Sequence, residues 1–222
     1  MSESDHDTRA RVLAAAAGLF AANGFKKVTV RAICQEAGAN VAAVNYHFGD
    51  KLGLYREVLS SAIETLRGTT EAAREAGEGL PPDEQLRVFV RVFLERAAGR
   101  GHDSWIHQLM QREMTDPTPA LDLVIEQVVR PRMAYLSEVV AGILKVPVDD
   151  GRVGPSVLSV QAQCLAAIGN PLSRRLTPDP RSGDPTVEQL ARHIAQFSLG
   201  GIRALEDSAP GLQMAAAATR PS

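Results

Sequence analysis

Residues 29 to 51, Thr-Val-Arg-Ala-Ile-Cys-Gln-Glu-Ala-Gly-Ala-Asn-Val-Ala-Ala-Val-Asn-Tyr-His-Phe-Gly-Asp-Lys, constrain the fold more than any other stretch of the chain. They read as two short helices around a glycine turn. Ala32, Ile33 and Ala37 give the first helix an apolar face, and Gly38 follows where a left-handed cap is expected. Asn40 is placed to cap the second helix, in which Val44 and Phe48 recur four apart as a buried stripe. Val41, Ala42, Asn45 and Tyr46 then face away from that stripe. A helix-turn-helix needs this division: one face packs on its neighbour and the other enters the DNA major groove.

The rest of the chain continues at helical spacing, with no repeats and no alternating runs that would argue for strands. A first helix, Thr8 to Asn23, buries Val12, Leu13, Ala16, Leu19 and Phe20 and stops at Asn23-Gly24, with Phe25 and Val28 closing a three-helix core. A fourth helix after Gly49-Asp50 shows Tyr55, Leu59, Ala62 and Leu66 on one face and ends before Gly77, Gly79, Pro81 and Pro82. A fifth, capped by Asp83, turns Leu86, Phe89, Phe93 and Ala97 inward. Gly99-Arg100-Gly101 breaks it, and a short sixth helix covers Trp105 to Met114. Pro117 and Pro119 open a long seventh helix that Pro131 should kink or locally open. An eighth runs from about Pro155 to Gly169, stopped by Asn170-Pro171; a Pro/Gly/Ser-rich loop spans Thr177 to Asp184, and a ninth helix follows Pro185. The expectation is an all-α protein of about nine helices: an N-terminal domain over 1–51, a C-terminal helical domain over 52–206 joined by the fourth helix, and a tail over 207–222 without helical periodicity.

Composition narrows the class. Hydrophobic residues make up 45% and charged residues 23% of the 222 positions, which suits a globular domain and excludes disorder throughout. No apolar run reaches the length of a membrane span, and Ser2 to Asp7 is too acidic and polar for a signal sequence. Cys34 and Cys164 stand far apart with no CxxC pair, which argues against a disulfide framework or a zinc site, and the expected compartment is the cytoplasm. The net charge of −2 hides an asymmetry. Thr8 to Arg56 holds seven basic residues against two acidic ones, a net +5, so the remainder carries −7. Such a segment is either a solvated helical surface or a landing site for a polyanion; its coincidence with the helix-turn-helix favours the second. There is no nucleophile–base pairing, phosphate-binding glycine loop or metal-spaced His/Cys/Asp/Glu set, so no catalytic, cofactor or metal site is expected.

The first helix, Gly24-Phe25, Thr29-Val30-Arg31, Ala37-Gly38 and Tyr46-His47-Phe48-Gly49-Asp50-Lys51 together resemble, in order and spacing, the DNA-binding domain of the tetracycline-repressor (TetR) family. Trp105 through Leu144, with Arg112-Glu113-Met114, Asp116-Pro117-Thr118-Pro119-Ala120 and Val129-Arg130-Pro131, is similar to the CecR-like subgroup. The resemblance implies a homodimeric transcriptional regulator, most simply a repressor, that binds a palindromic double-stranded operator and is released by a small molecule. The competing reading is a helical protein-interaction module without sequence-specific DNA binding.

Within the DNA-binding part the candidates are Thr29, Arg31, Asn40, Val41, Ala42, Asn45, Tyr46, His47 and Lys51. Thr29 caps the second helix, where exposed amides attract a phosphate oxygen; simple capping and phosphate binding are compatible there. Asn45 suits a bidentate bond to an adenine edge or a contact to phosphate or water, and Val41 or Ala42 suits a thymine methyl. The family often places tyrosine near position 45, so asparagine there suggests altered specificity. Tyr46 and His47 resemble family positions used on the phosphate backbone, and His47 is equally suited to tying the third helix to the fourth. Lys51 stands at the start of the fourth helix, where its charge and nearby amides would grip a phosphate. Lys26, Lys27 and Arg31 add diffuse attraction without base information.

In the C-terminal part the resemblance implies a ligand pocket without selecting its residues. Phe89, Phe93, Trp105, Leu109 and Met133 are candidate apolar walls, with Gln108, Gln111 and Arg112 as polar groups. Glu113 is a further polar candidate; plain core packing competes for the apolar set, and an intrahelical or inter-helix ion pair involving Arg112 and Glu113 competes for those two. His102 and His107 lack metal-ligand spacing. The last two helices resemble the family's dimerisation pair, with Val157, Gln161, Cys164 and Ile168 on one and Ile194, Phe197 and Gly201 on the other. Gly200-Gly201 there marks either a close backbone approach or a frayed end.

Overall fold

A computed structural model of the chain describes residues 3–99, 105–168 and 186–206. Among these residues the regular structure is helical throughout: α1 (Glu3–Asn23), α2 (Val30–Ala37), α3 (Val41–Phe48), α4 (Lys51–Ala76), α5 (Pro82–Gly99), α6 (Trp105–Thr115), the single turn α7 (Leu121–Val124), a π-helical turn (Ile125–Val129), α8 (Arg130–Leu144), α9 (Val153–Ala167) and α10 (Val187–Arg203). The stop expected at Asn170-Pro171, the loop from Thr177 to Asp184 and the tail over 207–222 lie outside the described residues.

The helices form two compact units that do not follow chain order. One comprises Met1–Gly68 with Asp103–Val129, the other Thr69–His102 with Arg130–Ser222. This partition differs from a break at residue 51, because α6 and α7 pack with the N-terminal helices: Ile106, Leu109, Ala120 and Val124 join Phe20, Ile33, Val44 and Tyr55 in one core. Helix α4 contributes to both units, crossing after Gly68.

In the first unit the expected stripes face the core, with Leu13, Leu19 and Leu66 only partly buried, and α2 shows one change. Ile33, Cys34 and Ala37 are the buried residues of α2, whereas Ala32 is exposed. Cys34 therefore takes the core position that periodicity assigns to Ala32.

In the second unit α5, α8, α9 and α10 surround a core that includes Leu86, Phe89, Tyr135, Leu136, Val157 and Ile194. Helix α5 starts one residue before the expected cap. Pro82 is its first residue, the amides of Glu84 and Gln85 donate to the Pro81 carbonyl, and the Asp83 carboxylate instead receives Arg203 at 2.5 Å. Proline suits the first helical position, whose N–H has no intrahelical acceptor to reach. Helix α10 opens with a capping box, in which the Gln189 amide donates to Thr186 Oγ1 and the Thr186 amide donates to Gln189 Oε1.

The irregularity expected at Pro131 is present, and the helix is cut into α7, a π turn and α8. Proline lacks the N–H that would continue the ladder, and the turn ending at Val129 widens just before it.

Arg152 fixes the start of α9. Its guanidinium pairs with Asp150 at 2.8 Å and donates to the carbonyls of Leu205 and Glu206 just beyond α10. The Arg152 hydrogen bonds hold the Asp150 carboxyl down at about 2, against an ordinary 3.8. A depressed acid stabilises the fold above its unfolded value and loses that contribution as pH falls through the folded one. Asp150→Asn should therefore lower the melting temperature at pH 7, and the gap from the unsubstituted protein should close between about pH 4 and pH 2; a gap that persists at pH 2 contradicts the assignment.

Candidate nucleic-acid interface

The α2–α3 unit is built from capping chemistry. The Ala32 amide donates to Thr29 Oγ1 at 3.2 Å and the Ala43 amide to Asn40 Oδ1 at 2.8 Å, with both cap residues extended. Between the helices Gly38 sits at φ 60°, ψ 39°, where a side chain would be strained, and its amide turns back to α2 carbonyls. Val44 and Phe48 hold α3 on α1 and α2. The opposite face is left to solvent, and Tyr46 is 74% exposed beside exposed Val41, Ala42 and Asn45.

The α3–α4 junction is tight. Gly49 at φ 77° ends α3, and the Asp50 carboxylate accepts the Gly53 amide at 2.7 Å as the cap of α4. A Cβ on Gly53 would stand 2.0 Å from the Phe48 carbonyl oxygen. Lys51 lies in the first turn of α4 with its Nζ 4.4 Å from the centre of the Phe25 ring, a cation–π contact at the ammonium. His47 is partly buried, its ring 5.0 Å from Tyr46 and 5.9 Å from Phe48. Arg31 is exposed on α2.

Part of the local positive charge is already paired: Arg9 with Glu57 at 2.8 Å, Arg11 with Asp7 at 2.6 Å and Lys26 with Asp116 at 2.6 Å. These exposed pairs reduce the outward field of those three cations.

The expected ligand residues do not gather in one unit. Phe89 and Phe93 are buried in the second unit with rings 5.8 Å apart, and Met133 packs against the same core. Trp105, Gln108, Leu109, Gln111 and Arg112 all lie on α6 in the first unit, where Leu109 is core, Trp105 packs on that core and Gln111 is exposed. Arg112 and Glu113 do not pair with one another. Arg112 Nε donates to the Ala21 carbonyl at 2.6 Å and its Nη2 to the Ala22 carbonyl, capping the C-terminal end of α1. Glu113 is 2% exposed and accepts from the Tyr55 hydroxyl and, at 3.2 and 3.1 Å, from the amide and hydroxyl of Thr118. Burial beside this carboxylate pushes the Tyr55 phenol far above its ordinary range. Sequence periodicity gives Tyr55 only a core role, and the partners of Glu113 lie on other elements, so only its placement upstream of Asp116-Pro117-Thr118 hints at a turn.

The expected interface residues also separate. Val157, Gln161, Cys164 and Ile194 are buried within the second unit's own core, and burial pushes the Cys164 thiol up to about 12. Ile168 is partly buried at the end of α9. Phe197 is 66% exposed and stacks on His193, while Gly201 is exposed with open space where a Cβ would stand. Periodicity picks the most apolar face of α9, which is the face the chain buries itself; Leu158 and Leu165 form the outward one, 51% and 42% exposed.

A short helix with an exposed Asn45–Tyr46 face, held between two glycine turns on a small helical core, is the arrangement of a helix-turn-helix DNA-binding regulator. Residues 12–58 match the family described as bacterial regulatory proteins of the tetR family, and residues 82–202 match the C-terminal domain of the HTH-type transcriptional dual regulator CecR. The chain belongs to the TetR family and is of CecR-like type. It is 28% identical over 164 residues, 69% of this chain and 72% of the other, to the HTH-type transcriptional dual regulator CecR of Shigella flexneri. Among solved structures it is similar to a tetR-family regulatory protein from Rhodococcus (TM-score 0.65, 18% identity, 91% of this chain and 98% of the other). It is also similar to the fatty acid degradation regulator FadR from Bacillus halodurans (TM-score 0.60, 17% identity, 86% and 98%). At these identities the two structures speak for the fold.

Proposed function

We propose that the chain is a homodimeric repressor that binds a palindromic operator through α3 and is released by a small molecule. The observation that carries the DNA-binding part is the exposed face of α3, in which Val41, Ala42, Asn45 and Tyr46 stand outward while Val44 and Phe48 anchor the helix. Asn45 is the base reader, Val41 or Ala42 meets a thymine methyl, and Thr29, Arg31, Asn40, Tyr46, His47 and Lys51 position the duplex through phosphates. Thr29 and Asn40 have their side-chain oxygens committed to capping, so the Thr29 hydroxyl hydrogen and the Asn40 amide NH2 are the groups they offer DNA. Repression follows when the operator overlaps a promoter; the relative's description as a dual regulator is consistent with operators in more than one position.

Exposed Leu158, Leu165 and Phe197 on the packed pair α9–α10, with open space at Gly200 and Gly201, support a second copy as the partner of that face. Val157, Gln161, Cys164 and Ile194, expected from sequence at the interface itself, support this face from beneath.

Effector binding is assigned to the second unit. Phe93 and Met133 remain candidate walls, joined by the buried Arg132 guanidinium 5.0 Å over the Phe93 ring and by Gln161, whose buried Oε1 has no hydrogen-bond partner. A buried acceptor without a donor costs about 1–3 kcal/mol, so a ligand N–H or O–H is the group that would recover it. For release, the ligand must bind the arrangement that cannot engage DNA more tightly than the one that can.

Asn45→Ala should cost about 1–3 kcal/mol on the preferred duplex and relax preference at one position per half-site, whereas Lys51→Ala should weaken all duplexes alike. Equilibrium binding to the preferred duplex and its single-base variants separates the two. Equal losses on every sequence for Asn45→Ala would remove it from base reading.

A further inference from the structure

We infer that Glu113 is a positioning residue for DNA binding, acting through Tyr55 and Phe25 on the Lys51 ammonium; this rests on the proposed phosphate contact of Lys51. The chain of contacts is continuous and lies within one compact unit. Thr118 donates twice to one Glu113 carboxylate oxygen, and the Tyr55 hydroxyl donates to the other. A carboxyl group 2% exposed needs such partners to offset its burial, so the α6 end, the Thr118 turn and α4 are fixed by one group. The Tyr55 ring is 4.9 Å from Phe20, edge-on, and 4.9 Å from Phe25, tilted by 51°. The other consequence of the Phe25 position is the cation–π contact, with Lys51 Nζ 4.4 Å from the ring centre. Lys51 and Tyr55 are four apart on α4, so the hydroxyl that Glu113 holds and the ammonium that Phe25 holds belong to one helical face.

Two neighbours of Glu113 tie the same segment to the same helices: Arg112 caps the Ala21 and Ala22 carbonyls, and Asp116 pairs with Lys26. The side chains of Arg112, Glu113, Asp116 and Thr118 thus end on α1, on α4, on the α1–α2 turn or on one another. A lysine whose ammonium is already placed loses less rotamer freedom when it meets a phosphate than one that roams, so the contact costs less on binding.

The sign of the effect distinguishes positioning from bulk charge. Removing a carboxylate from this unit makes it more positive, which by itself would tighten DNA binding. Positioning predicts the opposite. The test is binding of the full chain to a pool of random-sequence 30-base-pair duplexes, read by fluorescence anisotropy across a salt series, with thermal melting to confirm folding. Lys51→Ala should reduce the slope of log K against log salt by about 0.9 for each phosphate it no longer neutralises. Glu113→Ala should weaken binding and reduce the slope by a similar amount, Glu113→Gln should restore most of both, and Glu113→Ala should add little in a Lys51→Ala background. Where Glu113→Ala fails to melt cooperatively, Tyr55→Phe removes the single hydroxyl, leaves the rings and should give the same loss of slope. Tighter or unchanged binding with an unchanged slope in whichever of these variants folds, or losses that add fully to Lys51→Ala, overturns the proposal. Failure of the unsubstituted protein to bind the pool at any salt would instead overturn the DNA-binding reading beneath it.

Discussion

Phe197→Glu is expected to turn a dimer into a monomer and to weaken binding to a two-half-site duplex by roughly 10²- to 10⁴-fold, the range by which linked sites exceed a single one. Phe197 is 66% exposed on α10, so the substitution removes little packing within the chain, and a surface change of this kind alters stability by about 0.5 kcal/mol or less. What it does is place a charge on the exposed side of α10, which packs on α9, where Leu158 and Leu165 are also exposed. A carboxylate buried there without a partner costs several kcal/mol on association. Sedimentation and binding to single and paired half-sites read the result together. The single half-site affinity should be unchanged, because nothing in α2 or α3 is touched. If the unsubstituted protein itself sediments as a monomer at micromolar concentration, the face is not a dimer surface.

Gly53→Ala should be the most damaging small substitution in the first unit. Its Cβ would lie 2.0 Å from the Phe48 carbonyl oxygen, a backbone atom that cannot rotate away. Either α4 moves or the end of α3 does, at a cost of about 1–3 kcal/mol and upward. The Gly53 amide is also the donor to Asp50 at 2.7 Å, so a shift weakens the cap of α4 as well. Because Phe48 is one of the two anchors of α3, operator affinity should fall with stability. Gly38→Ala, at φ 60° but with open space around it, should cost only about 1–2 kcal/mol from backbone strain. Melting curves of the two variants order the effects. A Gly53→Ala protein as stable as the parent would mean that the α3–α4 junction yields without cost.

The sequence revealed most where local chemistry decides. Thr29 and Asn40 are caps whose side chains act three residues on, and Gly38 and Gly49 end helices at positive φ; the structure uses them as their types predict. Apolar periodicity located the inward faces of α1, α4 and α5 for the same reason. It was less informative about surfaces: the most regular apolar stripe on α9 belongs to the chain's own core, and the outward Leu158 and Leu165 fall out of phase with it. Partners far apart in sequence were the least visible. Glu113 meets Tyr55 across 58 positions, and Arg112 meets Ala21 across 91. Seen alone, two adjacent opposite charges suggest ion pairs, within the helix or to another one. Only the return of α6 onto the N-terminal helices shows that they serve two different sites.

The central claim, that α3 reads DNA as one of two symmetric copies, is tested most directly by selecting duplexes from a random pool with the purified full-length protein and sequencing those retained at physiological salt. The account predicts an enriched inverted repeat whose half-sites lie about one or a whole number of helical turns apart, with preference at one position lost for Asn45→Ala. A retained pool with no shared sequence, or one enriched for a single unrepeated site, would contradict it.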